Sequence, residues 1–302
     1  MIEKALHLTL LILFPPLMLG FINKTKAVFA GRTGAPLLQP YYDIIKLFRK
    51  GLVVSSTTSW IFQAGPIVTL AAVLLTGCLI PFGPFNAPLS FTGDIILFVY
   101  LFGLARFFTT AAALDTGSAF EGMGSAREAT FACLTEPALL FALMVPAKTA
   151  GSLKLNDLLH IQPGSYTSFT IAPLVLVSIG LFIILLAETC HIPVDDPNTH
   201  LELTMIHEAM VLDHSGPLLG MITYSAALKM FVFGSLLLHL AAPFTTGCFW
   251  ADWLIFASEL LALSAIVGTV ESVMARLQMK RVPYLLTGAL LLCGSGFILL
   301  VR

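Results

Sequence analysis

Long apolar runs, separated by polar or Gly- and Pro-containing stretches, repeat along the whole chain. Each is close to the roughly 20 residues that a helix needs to cross the hydrocarbon of a bilayer. Eight spans are read, at about Ala5 to Phe21, Pro66 to Pro81, Asp94 to Leu114, Glu128 to Ala147, Ile171 to Ala187, Met221 to Ala241, Asp252 to Val270 and Val282 to Val301. The runs are unbroken rather than alternating, which excludes a β-barrel and leaves helices as the way to satisfy backbone groups in lipid. The expected fold is all-α, a polytopic membrane helical bundle forming a single integral-membrane domain over residues 1–302. Pro15-Pro16 should kink the first span. The charged flank Lys24-Thr25-Lys26 precedes any small-residue cleavage site such as Ala30, so this run is read as a span and not as a cleaved signal.

The connections differ in length. The first (about residues 22 to 65) and the fifth (about 188 to 220) are long enough to hold helices of their own, which marks their side as the working face. In the first, GRTGAPLLQPYYDIIKLFRKG begins as a Gly- and Pro-rich turn and continues as an amphipathic stretch. Ile44, Leu47 and Phe48 fall on one side, with Asp43, Lys46, Arg49 and Lys50 available to the other. Such a helix should lie in the membrane interface, either as a plain basic anchor or as a docking surface.

Composition agrees with the class: 57% of residues are hydrophobic, only 11% are charged, and mean hydropathy is +0.92. Nothing here suggests nucleic-acid binding. The basic residues orient the bundle. Lys24, Lys26, Arg32, Lys46, Arg49, Lys50, Arg127, Arg276, Lys280 and Arg281 share the odd-numbered loops, against Lys4, Lys148, Lys154 and Arg302 opposite. The odd loops are therefore expected in the cytoplasm and both termini outside, in a prokaryotic inner membrane. The five cysteines (Cys78, Cys133, Cys190, Cys248, Cys293) show no C-x-x-C spacing, so any redox centre is expected in another subunit and no metal or cofactor in this one.

Against this background the charges inside the spans carry the chemistry. Arg106, Glu128, Glu136, Lys229, Glu259 and Glu271 fall within or at the ends of spans, where a mid-helix charge costs about 2.5–3.5 kcal/mol on an insertion scale. Glu128 and Glu136 are eight residues apart and can share one side of the fourth span, about 12 Å apart along its axis. Lys229 is expected to partner Glu136 or Glu259. Static ion pairs that fix packing and an ion path both account for such groups. A second concentration, ETCHIPVDDPNTHLEL from Glu188 to Leu203, opens the fifth loop. There His200, His207 and His214 recur at a spacing that would line one face of a helix, yet neighbours two turns apart, roughly 10 Å, do not share one metal ion. Packing, docking and proton relay stay open for them. Asp195-Asp196-Pro197-Asn198 reads equally well as a turn that caps a helix.

These residues resemble a known family: the membrane subunit that joins the redox arm to the membrane arm of respiratory complex I, and more closely its counterpart in membrane-bound nickel-iron hydrogenases and formate hydrogenlyase. In the fifth loop Glu188, Pro193, Asp195, Pro197, Glu202 and Leu203 keep E-T-N-R-x-P-F-D-x-P-E-x-E-x-E-L. In the first loop Gly34, Pro36, Gln39, Pro40, Asp43, Lys46 and Leu47 keep G-x-P…Q-P-x-x-D-x-x-K-L, and Arg127 and Glu136-Pro137 keep R…E-P. LDTGSAFEGMGSARE (Leu114 to Glu128), Ala227-Leu228-Lys229 and Glu271 to Arg276 resemble the hydrogenase branch rather than the quinone-reducing one. His191, Asn198 and His200 depart from the pattern, each replacing a charged residue.

The resemblance implies a non-catalytic coupling subunit. Its expected ion-path residues are Glu128, Glu136, Lys229, Glu259, Glu188, Asp195, Glu202, Arg127 and Asp115. Its expected docking residues are Arg32, Gln39, Asp43, Lys46, His191, His200 and His207. The implied partners are hydrogenase large and small subunits, holding a nickel-iron centre and iron-sulfur clusters, together with antiporter-like membrane subunits and lipid. A quinone-binding subunit and a passive anchor are the alternatives. The sequence has no inverted internal repeat, which disfavours a stand-alone transporter.

Overall fold

A continuous apolar run folds as a helix in lipid because only intrasegment hydrogen bonds can satisfy its backbone. The computed structural model describes residues 2–160, 168–195, 205–242 and 246–301. In it eight helices are long and apolar enough to span a membrane, so this is a multi-pass membrane protein. In chain order the helices are α1 (Ile2–Phe29), α2 (Gln39–Arg49), α3 (Trp60–Leu79), α4 (Asp94–Asp115), α5 (Ala119–Ala150), α6 (Leu155–Leu159), α7 (Ser168–Glu188), α8 (Gly216–Ala241), α9 (Phe249–Val273) and α10 (Val282–Val301). All but α2 and α6 are spans.

Several helices outrun their hydropathy. α1 passes through Pro15-Pro16, both buried, and continues to Phe29. α3 starts at Trp60 rather than Pro66, because the Ser59 side chain accepts the Ile61 N–H at 3.2 Å and caps the extra turn. α5 starts at Ala119, nine residues before the apolar run; at about 1.5 Å per residue its 32 residues exceed the roughly 30 Å of hydrocarbon. Its first turns therefore project beyond the membrane, where they can hold a loop.

Helix α8 lies at the centre, with 67% of its most apolar window buried against 22% for that of the last span. α1, α3, α7 and the amphipathic α2 surround it, α3 pairs along α4, and α10 packs into the angle between α5 and α7. As expected, α2 turns Ile44 inward and lays Leu47 and Phe48 over Gly220 of α8. On the side away from α2, His7 stacks on Phe82 at 3.7 Å and donates to the Gly77 carbonyl at 3.0 Å, which ties α1 to α3.

The fifth loop differs from expectation. Among the described residues 205–215 there is only the single 3-10 turn Glu208–Met210, so His207 and His214 do not share a helix face. His200 and Glu202 lie outside the described residues. The loop instead rests on α5, and its carbonyls and N–H groups are taken by side chains of that helix.

In lipid there is no strong hydrophobic drive between helices, so close backbone approach supplies much of the packing. At Gly268 of α9 an added Cβ would stand 2.9 Å from Thr25 Cβ and 3.0 Å from the Ile22 carbonyl of α1. Gly268→Leu should therefore separate α9 from α1 and lower stability by about 1–3 kcal/mol. Thermal unfolding of the detergent-solubilised protein measures this, and an unchanged transition would refute the packing role.

Candidate functional site

The only basic residue of α4 faces inward. Arg106 is buried, while its neighbours Leu104 and Phe107 face outward. A guanidinium cannot be left unpaired in such surroundings, and its planar fork offers five N–H donors. Three glutamates from two other helices take them. Nε donates to Glu128 at 2.9 Å, one terminal nitrogen pairs with Glu136 and the other with Glu188. Glu128 and Glu136, two turns apart on α5, are thus bridged by one side chain, while Glu188 comes from the last residue of α7.

The expected partner for Glu136 was Lys229, and the structure corrects this. Lys229 of α8 is only 9% exposed and forms no ion pair with a described carboxylate, although its charge acts on His207 across the loop. Arg106 is one helix closer to α5 and its fork reaches all three acids, which an ammonium on α8 does not. Glu259 also stands apart, on α9 in a groove described below.

Around the cluster the charges do not balance. Three carboxylates face one guanidinium, leaving an excess of two negative charges, and nearby Lys229 reduces it to one. In a low-dielectric site such an excess attracts positive charge. Exposure is graded across the set: the Glu188 side chain is 7% exposed and that of Glu136 44%, where α5 passes Gly103 of α4. Between Arg106, Glu128, Glu188, Cys190 and Asp195 lies a cavity of about 20 Å³, room for a water molecule.

Burial pushes the Cys190 thiol well above its ordinary range, with Asp195, Glu128 and Glu188 adding to the effect, so it stays protonated. Among the described residues no group of His, Cys, Asp and Glu is placed to hold a metal ion.

A frame of structural bonds fixes this site. Glu121, Gly124 and Arg127 lie along one side of the projecting start of α5. Glu121 accepts the Asp213 N–H at 3.1 Å, and Arg127 donates to the Met205 carbonyl at 2.7 Å. A Cβ at Gly124 would stand 3.0 Å from the Ile206 carbonyl, so only glycine admits the loop here. Asp195 accepts from the Ile206 and His207 N–H groups, both at 3.1 Å, and from Arg276 at 3.2 Å. It clamps the two ends of the fifth loop together beside the cavity. Asp115 accepts the Ser59 N–H at 2.6 Å and closes the first loop, nine residues along α4 from Arg106.

His191 is turned inward, where its Nδ1–H donates to Glu271 at 2.7 Å; Lys26 pairs with the same carboxylate at 2.9 Å. It is therefore not on a docking surface, because the buried Glu271 requires its N–H. Arg32, Asp43 and Lys46 are exposed, with Gln39 donating to Asp43 at 2.9 Å along α2.

Comparison with known proteins gives the family. The family model described as NADH dehydrogenase matches residues 3–301. The chain belongs to the NADH dehydrogenase family. Formate hydrogenlyase subunit 4 of Escherichia coli (strain K12) is 30% identical over 286 residues, covering 93% of this chain and 91% of that protein. Hydrogenase-4 component C of the same organism is 29% identical over 273 residues, covering 88% and 85%. Among solved structures, the membrane-bound sulfane sulfur reductase, an archaeal respiratory membrane complex, holds a chain of the same fold, with a TM-score of 0.83, 22% identity and coverage of 99% and 98%.

In this NADH dehydrogenase family chain, sequence reasoning named Arg106 as a buried charge but not as the hub of the site. The signal that could have found it was the lone cation in a 22-residue apolar helix. Glu121, with no apolar run to announce it, is not legible as a loop clamp in the sequence.

Two expectations follow. Arg106→Gln leaves three carboxylates without their cation and should lower stability by about 3–5 kcal/mol, whereas adding Glu188→Gln to it should recover part of the loss; thermal unfolding of the two variants separates these outcomes. Burial, with Lys229 contributing at His207, holds the His207 and His214 imidazoles below their ordinary range. The unfolded chain then binds their protons first as pH drops through about 6.5. Stability from these groups is present above that pH and is lost below it. Protection factors of residues 205–215, which allow for the slower intrinsic amide exchange at low pH, should fall from pH 7.5 to 5.5, less so in His214→Phe, and equal protection at both pH values would contradict this.

Proposed function

We propose that the chain is the membrane coupling subunit of a multisubunit, redox-driven, ion-translocating complex of the hydrogenase and formate hydrogenlyase kind. The observation that carries the reading is the excess of carboxylate over cation around Arg106, which binds or releases one proton as the local field changes. The face bearing α2 and the fifth loop is cytoplasmic in this reading, with both termini outside. Hydrogenase large and small subunits dock there on Arg32, Gln39, Asp43 and Lys46, and supply the nickel-iron and iron-sulfur chemistry. This chain is not catalytic.

Electron transfer above the loop alters the charge felt at Glu188, the most buried acid of the set. Proton occupancy then shifts among Glu188, Glu128 and Glu136, with the Arg106 guanidinium keeping its own protons and pairing most strongly with the carboxylates that remain ionised. The half-exposed Glu136 opens laterally between α4 and α5, where an antiporter-like subunit receives the change. Asp195, Arg127 and Asp115 act in this scheme by holding the loops, and Lys229 by setting the background charge.

Glu136→Gln removes the lateral acid while keeping an acceptor oxygen for Arg106. In proteoliposomes of the whole complex it should abolish redox-linked proton or sodium movement and leave the soluble arm's artificial-acceptor activity intact. Loss of both activities would mean an assembly role, and retention of both would mean a passive anchor.

A further inference from the structure

On the outer surface of the bundle, α7, α8 and α9 leave a groove of about 720 Å³ between them. Its walls are apolar, and its rim carries Ile171, Val175 and Ile179, one turn apart on α7, facing Ile266 of α9; each is about half exposed. A single carboxylate interrupts it. Glu259 lines the groove, and among the described residues its buried Oε1 has no hydrogen-bond partner and none of the ion pairs includes it. The other polar side chain in the wall, Ser178, donates its hydroxyl to the Leu174 carbonyl and has no proton to offer.

Depth decides what can fill this space. Glu259 lies ten residues into α9, about 15 Å from the start of the helix, which is near the middle of a hydrocarbon layer about 30 Å thick. A lipid chain lying in the groove brings no donor to that level, and a lipid headgroup amine stays at the surface. A transmembrane helix, in contrast, can present a side chain at any depth. An acidic group in the membrane interior is compensated by a paired base or by its own proton, and a carboxyl set in an apolar groove that faces the lipid offers a neighbouring helix the first.

We propose that this groove receives a transmembrane helix of a partner subunit, and that a lysine or arginine on that helix pairs with Glu259. The proposal rests on the chain working within a multisubunit membrane complex, but not on the coupling role of the Arg106 cluster, from which Glu259 is separate. It assigns Glu259 to assembly, so its loss should remove a subunit rather than uncouple an intact complex.

The test uses the whole complex in native membranes, with the photo-reactive residue benzoylphenylalanine at Ile179 or at Ile266. Sequencing of the linked peptide by mass spectrometry should give an apolar segment of another membrane subunit with a lysine or arginine within two turns of the linked position. Adducts to lipid alone, or to a segment lacking a basic residue, overturn the proposal. In the second arm, Glu259→Lys and Glu259→Leu should each reduce recovery of that subunit by about tenfold or more, an amount corresponding to at least 1.4 kcal/mol of interaction, while the soluble arm still co-purifies. Changing the partner's basic residue to glutamate should restore recovery with Glu259→Lys. Unchanged recovery in both variants also overturns it, and Glu259→Leu keeps the test valid if the lysine variant fails to accumulate.

Discussion

The rest of the structure depends on the cost of a guanidinium inside an apolar bundle. Arg106 faces the interior of α4, and its charge is tolerable only because three carboxylates reach it with good geometry. That requirement fixes the relation of α4, α5 and α7, which is also the relation that creates the cavity above Glu188. Satisfying one cation with three acids overshoots, and the overshoot leaves the site with an excess of negative charge. Packing and chemistry here have the same origin.

A second constraint is that the loops cannot be loose where they cover such a site. Asp195 gathers two N–H groups and Arg276, Arg127 and Glu121 hold the loop to α5, and Glu271 unites His191 with Lys26. Residues from the first, third, fifth and seventh connections are thereby fastened into one layer on a single face of the bundle. A change of charge at this layer is felt by Glu188 because Glu188 ends the helix from which the layer begins. The opposite face lacks any such concentration among the described residues, and there the polar groups are spent on packing, as with His7 and the Gly77 carbonyl.

Four acidic groups of the membrane region thus fall into two kinds of surroundings, three in one and one in the other. Glu128, Glu136 and Glu188 share a cation from within the chain, and Glu259 has none among the described residues. In a subunit of a larger membrane assembly this difference separates what the chain completes by itself from what it leaves for a neighbour, Glu136 being paired with α4 and Glu259 lining the groove of α7, α8 and α9.

Hydropathy by itself determined the class, the eight spans and the amphipathic α2, because burial in lipid and helix periodicity act locally and leave their mark in consecutive residues. The motifs from Leu114 to Glu128 and from Glu188 to Leu203 marked the segments that form the site. Helix ends were less legible: Trp60 to Gly65 and Ala119 to Arg127 are helical through capping and loop contacts that hydropathy does not register. Which charge meets which was decided by tertiary structure alone. Lys229 and Arg106 look equivalent in sequence, but only the packing of α4 beside α5 brings the guanidinium to Glu128, Glu136 and Glu188, and only the seating of α9 against α1 turns His191 and Lys26 toward Glu271. Ion pairing acts over a few ångströms between helices far apart in the chain, so a one-dimensional pattern fixes the inventory of charges and the fold fixes their partners.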